Sequence, residues 1–393
     1  MTISKKINEF ISQSSWIRRM FEEGVQLKKQ FGADNICDFS LGNPNLEPPA
    51  ELKAHLRDIA ALDIPAMHGY MPNAGYPETR SAVAAYLVAE QGVPVSADHI
   101  VMTCGAGGAL NVILKALLDP GDEVVIPSPF FVEYRFYVDN AGGVTKTVPT
   151  SEDFSLDMEA MSGAIGARTK IVLINSPNNP TGKVYDRRML ADLASLLEEK
   201  SKKFGKTIYL VSDEPYREIV YDGMTVPSVL AAYRESLVAY SYSKSLSIPG
   251  ERIGYAAANP GLSHFNDIMG GLILCNRILG FVNAPALIQR VVACLQGMKV
   301  NVDVYKKKRD LLCDALSKFG YSFHRPEGAF YLFPRTPLED DIAFVQALQK
   351  RRILTVPGRG FGAPGHFRIA YCVSDDTILR SIEGFGETIR EFS

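Results

Sequence analysis

The chain has 393 residues, too many for one ordinary domain, and suits two domains or one large domain with a smaller companion. A hydrophobic share of 46% is enough for a large buried core, and a formal net charge of -2 offers no basic field to nucleic acid or an anionic membrane. No run of about 18 apolar residues is free of charge, so no transmembrane helix is predicted. The N-terminal stretch scatters Lys5, Lys6, Glu9, Arg18 and Arg19 among polar residues and lacks the apolar run of a secretory signal. The six cysteines lie far apart with no C-x-x-C. They read as buried thiols of a reducing compartment, the cytoplasm, and not as a disulfide frame or a metal site.

In chain order, residues up to about 31 carry helical spacing (Trp16, Met20, Val25, Leu27) and lead to the turn Leu41-Gly42-Asn43-Pro44. From about residue 78 helices and strands alternate. Residues 78–90 are predicted helical, 100–102 a strand, and 106–118 a helix stopped by Asp119-Pro120-Gly121. Further strands are predicted at 123–126, 144–148, 171–174, 208–211, 237–240 and 253–258. Several are continuous Val/Ile-rich runs, the pattern of strands buried on both faces of a parallel or mixed sheet. Helical patterns such as 187–200 separate some of them, which argues for an α/β layered domain. A long helical pattern over 284–319, a helix near 341–351, an apolar strand around 367–371 and a final helix read as a smaller α+β lobe. The expected division is a large domain of 45–295, with a mostly parallel, mixed seven-stranded sheet between helices, and a discontinuous small domain of 1–44 and 296–393.

The informative positions fall at the ends of predicted strands, where open α/β sheets place ligand sites. Strand 237–240 runs into Ser241-Tyr242-Ser243-Lys244. Alone, Lys244 reads as a surface lysine; partly desolvated, it is an amine ready for carbonyl attack. Strand 208–211 ends in Ser212-Asp213-Glu214-Pro215-Tyr216. Asp213 could cap the next turn, or face a pyridinium nitrogen and keep it protonated. Tyr216 and Asn179, the latter in Asn175-Ser176-Pro177-Asn178-Asn179-Pro180, suit a phenolic oxygen. Gly105-Ala106-Gly107 opens a helix after a strand and leaves backbone N–H groups for a phosphate. The rival dinucleotide fingerprint fails, because Leu110 stands where its third glycine belongs. Arg252 is either a surface ion-pair partner or a phosphate clamp. Arg368, in an apolar strand, needs an anion: a substrate carboxylate or a structural acid. Phe131 is a core aromatic or a ring-stacking one.

Together these residues, above all 175–182, 212–216 and 241–254, resemble the class I/II aminotransferases of fold type I, the aspartate aminotransferase superfamily. The resemblance covers nearly the whole chain. It implies a pyridoxal 5'-phosphate enzyme that moves an amino group between an L-amino acid and a 2-oxo acid by ping-pong kinetics. Lys244 would hold the cofactor as a Schiff base and move the proton, with Asp213 on the ring nitrogen and Asn179 and Tyr216 on the phenolic oxygen. Gly105, Ala106, Gly107, Ser241, Ser243 and Arg252 would bind the phosphate, and Phe131 would stack on the ring. Arg368, with Asn179 and the backbone of Gly42, would clamp the α-carboxylate. Tyr70 would reach the phosphate of a neighbouring subunit, which implies a homodimer with shared sites.

Two departures are visible. The phosphate turn carries no polar side chain, and no cation is identified for a distal substrate carboxylate. A carbon–sulfur β-lyase and a cyclopropane-forming synthase would share the same site residues. A DNA-binding sensor is disfavoured, because the N-terminal segment is too short for a recognition domain. Side-chain specificity is expected near Trp16, Arg18 and His68.

Overall fold

The structure is a computed structural model that describes residues 2–392, with the side chains of 12–21 outside the description. The chain enters through helix α1 (Lys5–Phe31) and the short strand β1 (Cys37–Asp38). Helices α2 (Ala50–Ala60) and α3 (Pro77–Gln91) precede a long alternation. It comprises β2 (Ile100–Thr103), α4 (Gly105–Leu117), β3 (Glu123–Ser128), α5 (Glu133–Asn140), β4 (Val144–Pro149), α6 (Met158–Ala164) and β5 (Thr169–Asn175). It continues through α7 (Arg187–Phe204), β6 (Tyr209–Asp213), α8 (Val229–Ala232), β7 (Ser236–Ser241), α9 (Tyr242–Ser245), β8 (Gly254–Ala258) and α10 (Phe265–Ile278).

Strands β2 to β8 form one seven-stranded sheet in the order β2-β8-β7-β6-β5-β3-β4. Strand β8 runs antiparallel to both neighbours, and the remaining pairs are parallel. The sheet is mostly parallel because helical crossovers join its strands, and those helices cover both faces. Val124, Ile126, Leu173, Val211 and Leu237 pack on one face with residues of α4, α5 and α10. Val125, Val172, Ile174 and Leu210 point to the other face, under α7. That alternation within unbroken apolar runs explains why both faces are hydrophobic. Each such side chain contributes about 1.5–3 kcal/mol by leaving water.

The remaining elements are α11 (Ala286–Ala293), α12 (Val302–Lys318), β9 (Tyr331–Leu332), α13 (Asp341–Lys350), β10 (Ile353–Leu354), β11 (Val356–Pro357), β12 (Phe367–Ala370) and α14 (Asp375–Glu391). They surround a second core of Leu312, Leu316, Phe330, Phe344, Phe367 and Phe385, beside a three-stranded sheet β11-β12-β9. Strand β1 pairs in parallel with β10, which ties the N-terminal segment to this core. Helix α1 touches both regions: Lys28 pairs with Asp38 at 2.6 Å, whereas Phe10 packs edge-on against Phe136 of α5.

The single long helix predicted over 284–319 is two helices, α11 and α12. Gly297 turns left-handed at φ +80°, and the Asn301 side chain caps α12 by accepting from Asp303 N. Apolar periodicity persists through the break because both helices bury a face, so periodicity alone hid it. Helices α2, α5, α6 and α10 were not predicted. Among the described residues, no helix is long and apolar enough to cross a membrane, and no group of His, Cys, Asp and Glu side chains could hold a metal. All six cysteines are free thiols.

Candidate active site

Strands β5, β6 and β7 are adjacent and parallel, so their last residues line up at one edge of the sheet. Asn175, Asp213 and Ser241 are those last residues. They open onto a cavity of about 480 Å³, which residues 40–42, 331, 356, 361 and 368 close from the smaller sheet's side.

Lys244 follows β7 in the single turn of α9 and is half-buried in the cavity wall, not on the outer surface. Its Nζ donates to the carbonyl of Gly42 at 2.8 Å. Desolvation brings its pKa down to about 8, and the positive charges of Arg368 and Arg252 act in the same direction. A large share of this amine is therefore neutral, and nucleophilic, near pH 8.

Asp213 caps no turn. Its Oδ2 accepts from the hydroxyl of Tyr134 at 2.6 Å, and its Oδ1 is buried without a partner among the described residues. Burial pushes its pKa up to about 7, while the Tyr134 hydrogen bond favours the charged form. Asn175 braces this region twice: its Nδ2 donates to the Asp213 carbonyl at 2.8 Å, and its Oδ1 accepts from Asn179 N at 2.7 Å. The Tyr216 and Tyr331 hydroxyls share a hydrogen bond of 2.7 Å.

At the N-terminus of α4, Gly105 adopts φ +71°, and a Cβ there would lie 3.2 Å from Nη2 of Arg252. The positive φ is what favours glycine here, since a shift of a few tenths of an ångström at the Arg252 tip would relieve the contact. Ala106 and Gly107 line the cavity beside it. Ser241 Oγ lies 2.7 Å from Ser243 Oγ and accepts from Ser243 N. Arg252 donates to the carbonyls of Pro249 and Cys104, and it forms no ion pair among the described residues. This end thus gathers free N–H groups, two hydroxyls and a guanidinium, a donor set for a dianion.

Arg368 is buried at the other end. It donates to the Ser40 carbonyl at 2.6 Å and to Asn179 Oδ1 at 3.1 Å. Its guanidinium lies 4.7 Å from the ring centres of both Tyr331 and Phe361. It has no acidic partner among the described residues, and its Nε is buried without a hydrogen bond. A buried cation so placed calls for an anion. Gly42 stands beside it, where a Cβ would fall 1.9 Å from the Tyr331 hydroxyl. Phe131 lines the wall with its ring edge-on to Tyr134 at 5.5 Å.

One cavity thus gathers Lys244, Asp213, Tyr216, Asn179, Ala106, Gly107, Ser241, Ser243, Arg252, Phe131, Gly42 and Arg368; Gly105 does not line it but sits behind, against Arg252 and Ser241. Tyr70 is not among them: it is 94% exposed, beside His68, Phe281 and Val282 in a separate surface hollow. The side chains of Trp16 and Arg18 lie outside the described residues. Sequence reasoning missed Tyr134, Tyr137, Asn175, Tyr331 and Phe361. Asn175 alone carried a signal, as a polar residue ending a buried strand.

The family model for aminotransferase class I and II matches residues 34–385. A probable aspartate aminotransferase from Methanocaldococcus jannaschii is 32% identical, over 88% of this chain and 92% of its own. A solved amino transferase from Eubacterium rectale superposes with a TM-score of 0.96 at 38% identity, covering both chains fully. The aspartate aminotransferase of Thermus thermophilus, solved with maleate, gives 0.84 at 30% identity over 94% of this chain and 95% of that one. Sequence, fold and cavity agree, and the chain belongs to the aminotransferases of class I and II.

Proposed function

We propose that this aminotransferase binds pyridoxal 5'-phosphate in the cavity and moves an amino group between an L-amino acid and a 2-oxo acid in a ping-pong cycle. The carrying observation is that Lys244 shares one cavity with Asp213, which keeps an unsatisfied buried oxygen, and with Arg368, which lacks a buried counter-charge. The residues fit the cofactor. Asp213 Oδ1 is a free acceptor for a protonated ring nitrogen. The Asn179 Oδ1 is occupied by Arg368, which leaves its Nδ2 to donate to a phenolic oxygen with the Tyr216 hydroxyl. Gly105, Ala106, Gly107, Ser241, Ser243 and Arg252 would hold the phosphate, and Phe131 would cover one ring face. When bound, the cofactor supplies an aldehyde that condenses with amines and a ring that draws electrons from the carbon bearing the nitrogen.

The protein supplies position and proton transfer. Arg368, Asn179 and the backbone of Gly42 would fix the substrate α-carboxylate. That would turn the Cα hydrogen toward Lys244, whose lowered pKa suits it to take up and return a proton near neutral pH. Asp213 would hold the positive charge opposite it. The exposed ring of Tyr70 supports a homodimer in which this residue completes the partner's phosphate site, and the free thiols suit the cytoplasm. The test is the half-reaction. Adding an amino acid to the cofactor-loaded protein shifts the cofactor absorbance and releases a 2-oxo acid, and Lys244→Ala abolishes both while the fold persists. Silence with every common amino acid overturns the reading.

A further inference from the structure

Three cations line the cavity among the described residues: Lys244, Arg252 and Arg368. The proposed transamination, on which the role of this wall rests, engages all three, with the reacting amine, the phosphate and the α-carboxylate. No fourth Lys, Arg or His remains on the described wall to receive an anionic substrate side chain. The cavity has instead a second carboxylate besides Asp213. Glu133 is the first residue of α5 and lines the chamber half-buried.

Helix α5 turns three residues toward the cavity: Glu133, Tyr134 and, one turn on, Tyr137. Tyr134 commits its hydroxyl to Asp213. The Glu133 carboxylate forms no hydrogen bond or ion pair with any described residue. Loss of solvent raises its pKa, which is the mark of a carboxylate without compensation. Leu41, Val132, Val356 and Phe361 add apolar surface to the same cavity wall. The chamber therefore offers a carboxylate clamp, an apolar lining for methylene groups and an unpaired anion.

We propose that Glu133 sets the side-chain preference of the reaction: the substrate is a 2-amino acid with an aliphatic stem ending in an ammonium or other N–H donor, and not a second carboxylate. A dicarboxylic substrate would bring another anion into a half-desolvated wall that holds Glu133 and, among the described residues, no cation left unengaged, and like charges there are costly. A cationic tip would give Glu133 the partner it lacks. This preference sets the chain apart from the Thermus thermophilus relative, which was solved with maleate, a dicarboxylate.

The test uses two unreactive probes of equal length on the cofactor-loaded enzyme, followed by calorimetry. Glutarate carries two carboxylates, and its monoamide, 5-amino-5-oxopentanoate, carries one carboxylate and one non-nucleophilic N–H donor. The monoamide is expected to bind about tenfold more tightly, the scale of one charge-assisted hydrogen bond. Glu133→Gln erases the difference, and Glu133→Lys reverses it. Glutarate binding as tightly to the unaltered enzyme, or a ratio that Glu133→Gln leaves unmoved, overturns the proposal. Half-reactions with ornithine and aspartate separate it from its premise. Preference for aspartate sinks the role of Glu133 and leaves transamination standing. Silence with every common amino acid removes transamination, and the role of Glu133 with it.

Discussion

At the Asp213 end of the cavity, the key groups come from neighbouring strands of one sheet. Asn175 pairs in register with Asp213, and Asp213 pairs with Ala239, so the backbone ladder sets their spacing. At the Arg368 end, the groups arrive from residues 40–42, 179, 331, 361 and 368, and they are held by contacts between rings, carbonyls and one guanidinium. The first end is rigid by construction and tuned by electrostatics. The second is assembled by packing. A substitution at the first should change chemistry without moving the frame, and a substitution at the second should change how substrate is held.

The largest effect is expected from Asp213→Asn. Losing the charge opposite the ring nitrogen should lower kcat on the order of 10²–10³-fold, the scale for one preorganised electrostatic group. Thermal unfolding of the cofactor-free protein should not suffer, because a poorly compensated buried carboxyl is removed. A large drop in stability with kcat retained would show that Asp213 serves the frame instead. Next comes Arg368→Lys, which keeps the charge and loses the planar fork. Steady-state kinetics should show kcat/KM down roughly a hundredfold, mostly through KM. A fall confined to kcat would break the distinction between the two ends.

The smallest effect is expected from Tyr134→Phe, which removes one hydrogen bond from Asp213 and should cost about tenfold in kcat. It also has a pH signature. Asp213 has a folded pKa of about 7 against an ordinary value of 3.8. The folded protein holds that proton more tightly than the unfolded chain. The stability this group contributes is therefore complete below about pH 4 and is lost as pH rises through about 7. The Tyr134 bond lowers the folded pKa, so Tyr134→Phe should carry the decline to higher pH, and Asp213→Asn should abolish it. Urea unfolding of the cofactor-stripped protein across that range measures both.

The same contrast explains what could be read before folding. Strands β2, β3 and β5 were legible because Val/Ile runs buried on both faces have few other uses, whereas β4 keeps most of its residues in partial contact with water and β8 is Ala-rich. Lys244, Asp213 and Asn179 were legible because each follows such a run directly. Arg368 stood out as a charge within an apolar strand. Tyr134 and Tyr331 were not legible, since each looks like an ordinary core aromatic. Their hydroxyls acquire meaning only from Asp213 and Tyr216, which lie 79 and 115 residues away in the chain. Local pattern reports burial, but it carries no record of which distant polar atom a buried hydroxyl will meet. The break between α11 and α12 escaped for a related reason: one glycine and one cap sit within a periodicity that tertiary packing keeps alive on both sides.

Gly42 has a consequence for how this enzyme can diverge. Any side chain there would collide with the Tyr331 hydroxyl, and the same residue's carbonyl receives the Lys244 amine. Novel substrate scope cannot originate at that turn without dismantling the lysine's seat. The front of α5 is different, because the side chains of residues 132 and 133 line the chamber and hydrogen-bond to none of the described residues. Mutational drift toward new amine donors has its open door there.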